Sequence, residues 1–291
     1  MKKIVFLALA ACFFIFSDCL ALEWKKLHEQ ADKQDLVQSV AAVQNNPSVE
    51  NNYILGLAYL NQHRDKEAEQ VFRKVIENDP SAIEAEWGIA EVLRRQHKLR
   101  QAEKMLNKII QTQATFYPAY ISLAYIKYIQ MDFEQSVRLA LKVMQAGKEK
   151  VDLSNYVRAY CLYAGAKGML AHYGGPFSKL VNGLAVKSNL DTAQKLQPNA
   201  AGVLFGLGSF YLLAPRIAGG NPDKSETYLK KAINVDPHLS DAYVRLAQLY
   251  KLKGNSAAFT WYLDKALTLD PGNELALDTQ SGACKYICAG S

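Results

Sequence analysis

Cysteine and histidine are scarce in this chain, with five of each in 291 residues. Cys12 and Cys19 fall in the first twenty residues, which leaves Cys161, Cys284 and Cys288, fewer thiolates than a structural zinc site needs. The histidines His28, His63, His97, His172 and His238 are spread out, with no second His, Cys or carboxylate at metal-ligand spacing, so no metal is expected. Charge is equally unconcentrated. Lys, Arg, Asp and Glu make up 21% of the residues and are mixed rather than blocked, for a formal net charge of +6, which argues against a nucleic-acid partner. No G-x-S-x-G elbow appears. The stretch Gly219-Gly220-Asn221-Pro222-Asp223-Lys224-Ser225 fails as a phosphate-binding loop, because Ala218 and Asp223 stand where that loop requires glycine. The chain is therefore read as non-enzymatic and without a cofactor.

Long apolar runs are also missing. The one run of note, Ile4 to Phe16, is too short to span a bilayer comfortably and follows the basic pair Lys2-Lys3. It reads as an export signal, residues 1–21, with Cys19 and Ala21 as the small residues at −3 and −1 and a mature chain starting at Leu22. The alternative is a lipoprotein box at Leu9-Ala10-Ala11-Cys12, which sits badly because Phe13 to Phe16 continue the apolar run; it would give a membrane-anchored protein. The expected location is periplasmic or secreted, where a disulfide is permitted. Cys284 and Cys288 are close enough to bridge if the tail is not a regular helix, and Cys161 stays free in an apolar helix.

What the sequence does have is a repeat. Leu55, Gly56, Tyr59, Ala68, Phe72, Val75 and Pro80 recur with a 34-residue period as Ile89, Ala90, Leu93, Ala102, Leu106 and Ile109, then as Tyr120, Leu123, Ala124, Ser136, Ala140 and Val143. Later units carry Leu204, Leu207, Gly208, Tyr211, Ser225, Leu229, Ala232 and Pro237, and Tyr243, Leu246, Ala247, Tyr250, Leu263, Ala266 and Pro271. Small residues let paired helices approach, large apolar ones fill the space between, and Gly56 is expected to face Ala68. Asp79-Pro80, Asp236-Pro237 and Asp270-Pro271 end helices; Ser81 (with Glu84 as a capping box), Ser240 and Asn273 are expected to cap the next, and Asn221 to cap a helix with Pro222 at its first position.

This pattern resembles the tetratricopeptide repeat. The resemblance implies an all-α, right-handed superhelical solenoid of helical hairpins, divided as an N-terminal helical pair (22–48), three regular units (49–150), an atypical Gly-rich hairpin with an insert (151–200), two further units (201–273) and a capping helix with tail (274–291). Ten of the seventeen glycines lie between Gly165 and Gly220, in and after the atypical unit. The concave face implied by the resemblance is a groove of Tyr53, Leu57, Trp87, Glu91, Arg94, Arg95, Ile121, Tyr125 and Tyr128, together with Leu60, Asn61 and Ile129. It is rich in aromatics, lacks the Lys and Asn of a carboxylate clamp, and suits an apolar peptide or helix of an envelope protein, with Arg94 and Arg95 steering acidic groups. A second ligand region is expected around Tyr156, Tyr160, Gly174, Gly175, Arg216, Gly219 and Gly220. Residues 150–275 are also similar to the T-component family of TRAP transporters, on the strength of a long helix with a Gly-rich insert followed by Ala214-Pro215-Arg216-Ile217-Ala218-Gly219-Gly220 with its Pro-x-x-x-Gly-Gly turn, though Asn221 stands where that family is expected to carry an acidic residue. That similarity implies a transport accessory that binds an apolar ligand or a periplasmic substrate-binding protein.

Overall fold

The computed structural model describes residues 23–289, and the expected signal segment lies outside them. Fifteen α-helices and one short 3-10 turn fill the described residues. A short pair, α1 (Trp24–Ala31) and α2 (Leu36–Asn45), precedes three hairpins: α3 (Val49–Asn61) with α4 (Asp65–Asn78), α5 (Ile83–Arg95) with α6 (Leu99–Thr112), and α7 (Tyr117–Ile129) with α8 (Phe133–Ala146). Then come two 21-residue helices, α9 (Leu153–Tyr173) and α10 (Pro176–Leu196). The hairpin α11 (Ala201–Leu213) with α12 (Pro222–Val235) carries the 3-10 turn Arg216–Ala218 in its loop; α13 (Ser240–Leu252) with α14 (Ser256–Leu269) follows, and then α15 (Glu274–Ser281). No described helix is long and apolar enough to cross a membrane.

The 34-residue period is exact in the first three hairpins, whose helices begin at 49, 83 and 117 and again at 65, 99 and 133. The turn within each passes one residue through the left-handed region, His63, His97 and Met131, and Gly254 holds the corresponding place in the α13–α14 hairpin. Asp79, Asp236 and Asp270 end their helices in extended conformation before a proline, which disfavours the helical region for the residue preceding it.

Close packing rests on the small residues. Phe72 is fully buried between α3 and α5, and a Cβ at Gly56 or at Gly88 would come within 2.7 Å of its ring. The atoms nearest Gly56 therefore belong to Phe72 rather than to Ala68, because the ring is the larger body and fills the slot that two glycines leave. Leu229 occupies the equivalent slot against Gly208. Two caps differ from expectation. Ser81 donates its Oγ–H to Asp79 instead of capping α5, which starts from Ala82 with no side-chain cap. Ser240 is the first residue of α13 and accepts from Asn273. Asn273 and Asn221 cap α15 and α12 as expected, the latter with Pro222 at the first helical position.

The solenoid completes a turn and returns to its start. Asp236 reaches His63 at 3.2 Å, and Asp270 and Glu274 reach His97 at 2.7 and 3.0 Å, both across more than 170 residues of sequence. The tail after α15 is irregular and is closed by the Cys284–Cys288 disulfide. From it Tyr286 donates its hydroxyl to the Ile129 carbonyl at 2.6 Å and stacks on Tyr128, while Tyr173 donates to the Lys285 carbonyl. Buried Arg245 holds the Tyr286 and Ile287 carbonyls, and the Asp278 carboxylate accepts the Lys285 and Tyr286 N–H groups.

Candidate functional site

Closure turns the concave face into an interior. A cavity of about 1740 Å³ runs inside the ring, above the roughly 300–1,000 Å³ of an ordinary small-molecule pocket. Leu57, Trp87, Glu91, Arg94, Arg95, Tyr125 and Tyr128 line it, whereas Tyr53 and Ile121 do not. Both of these are fully buried, so their expected place on an open groove is corrected. Trp87 is also corrected as an exposed anchor. It is 4% exposed, donates its indole N–H to Ser122 Oγ at 2.9 Å and packs against His28 and Phe116.

The cause is that α1 and α9 lie over the first helices. Trp24 and His28 of α1 pack on Phe116, Tyr53 and Trp87. Asn155 of α9 donates to His28 Nδ1 at 3.2 Å, which leaves Nε2 to donate to the Tyr53 hydroxyl at 2.8 Å. Burial lowers the pKa of this imidazole, consistent with a neutral ring wedged among aromatics. What reads in sequence as an aromatic stripe is thus mostly core.

The polar end of the cavity is charged. Glu91 is buried and pairs with Arg94 at 3.1 Å; burial works to raise its pKa, but Arg94, Arg158 and Ser122 hold it at about 2. The Arg94 guanidinium also lies over the Tyr125 ring at 4.5 Å. Arg95 donates to the Leu60 carbonyl at 2.8 Å and pairs with Asp65 at 3.1 Å. Arg158, on α9, is different. Among the described residues its one side-chain hydrogen bond is to Asn155 Oδ1 at 3.1 Å, with no carboxylate in ion-pair reach, and it lines the cavity. Burial pushes its pKa below the usual arginine value. Arg94 and Arg95 are thus in direct ion pairs, whereas Arg158 acts on the Glu91, Asp152 and Asp32 carboxylates only at longer range. The sequence carried no signal for this residue beyond its place on the long helix.

Other parts of the lining are apolar, among them Met169, Leu180, Leu184, Leu190, Val203 and Ile217. Several of these are strongly exposed, Leu184 at 70% and Ile217 at 100%, and Phe177 beside them is 79% exposed. Phe177, Leu180, Val181 and Leu184 share one face of the first half of α10 by helical spacing. Cys161 also lines the cavity, but burial pushes its thiol up to about 12, which keeps it protonated and a poor nucleophile at neutral pH.

The second expected region does not assemble as one site. Tyr156 and Tyr160 hydrogen-bond each other at 3.2 Å outside the cavity lining. Gly174 and Gly175 form the tight link from α9 to α10, where Ser178 donates to the Leu170 carbonyl and leaves no room for a side chain at Gly174. Arg216 is exposed, and at the start of α12 the Asp223 and Lys224 N–H groups are already taken by Asn221 Oδ1. Gly219 adopts a left-handed conformation and Gly220 abuts the Ala214 carbonyl, so the two glycines shape a tight turn that leaves Ile217 fully exposed where it borders the cavity. The expectation that no histidine has metal-ligand company also gives way, because His63, Asp236 and His238 converge across the seam. Linear spacing cannot reveal donors brought together from opposite ends of a ring.

No curated protein matches the chain. The family profile described as tetratricopeptide repeat matches residues 49–81 and 240–273. Among solved structures, the chain is similar to the Cut9 and Hcn1 hetero-tetramer of the APC/C, at 18% identity and a TM-score of 0.54 over 88% of this chain and 47% of that one. It is also similar to a tetratricopeptide repeat protein from Parabacteroides merdae, at 14% identity and 0.52 over 89% and 98%. PilW, a type IV pilus biogenesis factor, aligns at 14% identity and 0.49 over 80% and 98%. At these identities the likeness is one of fold. The matched segments are the α3–α4 hairpin with the α13–α14 hairpin and its following turn, and an all-helical series of such hairpins surrounds the cavity: the chain carries tetratricopeptide repeats near both ends of its solenoid.

Proposed function

We propose that this protein is a non-catalytic, exported scaffold whose interior takes up an apolar peptide segment of an envelope protein, with a carboxylate of that segment seated on Arg158. The observation that carries the reading is a half-buried guanidinium on the wall of a large cavity with much apolar lining, with no carboxylate within ion-pair distance among the described residues. A guanidinium already partly withdrawn from water loses little further hydration when a carboxylate docks on it, and the pair gains charge-assisted hydrogen bonds that offset the carboxylate's desolvation. The exposed face of Phe177, Leu180 and Leu184 would receive the rest of the segment at the cavity's mouth.

The test uses short Leu- and Phe-rich peptides with a free or an amidated C-terminus. The free acid is expected to bind about tenfold or more tightly than the amide, and Arg158→Gln to erase the difference. Equal binding of the two peptides by the unaltered protein would sink the reading. The apolar lining of the cavity beside several guanidinium groups favours a second reading, a transport accessory that holds a small amphiphilic acid; native mass spectrometry of the purified protein would then find such an acid bound. Export is checked by the mature N-terminus, expected at Leu22.

A further inference from the structure

We propose that His63, Asp236 and His238 form a binding site for a divalent first-row transition metal, zinc foremost, which staples the two arms of the ring together. His63 belongs to the α3–α4 turn, and Asp236 and His238 to the turn between α12 and α13, so the donors come from opposite ends of the solenoid. One ligand atom from each residue lies within 4.8 Å of the others. The two imidazole rings stack at 4.9 Å between centroids, and His63 Nε2 is 3.2 Å from the Asp236 carboxylate. A tetrahedral site with Zn–N distances of about 2.0–2.1 Å needs donor atoms roughly 3.3 Å apart, a contraction that small side-chain rotations supply.

The backbone presets two of the donors. His63 sits at φ 55° with its N–H bonded to the Leu60 carbonyl, and the His238 N–H donates to Asp236 Oδ1 at 2.9 Å. Two imidazoles and a carboxylate, without thiolate, suit zinc(II), copper(II) or nickel(II) better than copper(I) or calcium. Positions left open on the metal would be filled by water.

The neighbouring latch shows why the site is singular. One repeat further along, His97 stands where His63 does and Asp270 where Asp236 does, but Gly272 replaces His238. There both ring nitrogens of the lone imidazole are engaged by Asp270 and Glu274, which leaves no nitrogen lone pair for a metal. The second imidazole at position 238 is what converts a hydrogen-bonded latch into a chelate. His63, Asp236 and His238 all line the cavity, so a bound metal would fix the seam of the very ring that encloses it.

The experiment titrates zinc into the full chain near pH 7.5, with free thiols blocked, in competition with a chromophoric chelator. One equivalent bound in the micromolar range is expected, weakened about tenfold or more by His63→Ala and, separately, by His238→Ala. Zinc should raise the thermal midpoint of the unaltered protein and of His97→Ala, and leave that of the two variants unchanged. His63→Gln and His238→Gln serve where an alanine variant fails to fold. No binding by the unaltered protein, or binding that survives substitution of either histidine, overturns the proposal.

Discussion

The three regular hairpins from Val49 to Ala146 and the long pair α9–α10 are built by opposite rules. In the hairpins, positions repeat every 34 residues and the apolar ones vanish into the core: Phe72, Leu106 and Val143 are each fully buried. In α10 the apolar residues of the first half stay outside, with Phe177, Leu180, Val181 and Leu184 all exposed, and among its residues only Leu190 and Ala193 are buried. Repetition makes neighbours that bury one another. α10 packs on α9 and α11 through its other face, and the apolar face of its first half, which no repeat neighbour covers, is left for something else.

The contrast is sharpest in stability. Phe72→Ala opens a void between Gly56 and Gly88 and should cost about 3–5 kcal/mol, read as a lowered midpoint in urea. Trp87→Ala should cost about as much, because its indole is buried and hydrogen-bonded to Ser122. If Trp87→Ala instead left stability unchanged and abolished partner binding, the division between core and recognition surface drawn here would fail.

The seam between the arms comes next. His97 donates to Asp270 and Glu274, hydrogen bonds that outweigh the opposing effect of its partial burial and raise its pKa from about 6.5 to about 10. A raised pKa means the latch contributes fully below about pH 6.5, and its contribution falls as pH climbs toward 10. His97→Ala should cost about 1–2 kcal/mol at pH 6, a figure reduced for solvent screening because the side chain is partly exposed. The gap to the unaltered protein should close by about pH 10. A gap that does not change with pH would assign the latch to packing alone.

The smallest effect on stability belongs to α10. Leu180→Asp with Leu184→Asp should change folding free energy by less than about 0.5 kcal/mol per substitution, since both side chains are largely in water. The same pair should weaken capture of an apolar peptide, measured by fluorescence anisotropy. Loss of folding in this variant would show that the face is packed in solution.

The hairpins, their period, the Asp-Pro helix ends and the Asn caps at 221 and 273 are legible in the sequence, because each follows from contacts within one unit or between adjacent ones, whereas the Cys284–Cys288 bond depended on whether the tail was helical and is decided by its irregular backbone. The capping box at Ser81 was misread because Asp79, two residues away, competes for the same hydroxyl. The groove was legible in membership and not in exposure: seven of its nine residues do line the interior, yet Trp87 and Tyr53 are core because α1 and α9 cover them.

The sequence by itself determined the helical hairpin, since periodic small and large residues specify how two helices meet within about forty positions of one another. Only the tertiary structure decided that the stack closes. That closure places His63 on Asp236 and His97 on Asp270 and leaves Arg158 on the wall of the cavity. Its physical reason is accumulation: the small rotation from each hairpin to the next, together with the long α9–α10 pair, sums over the chain until the last turn meets the first. No local pattern of residues records that sum.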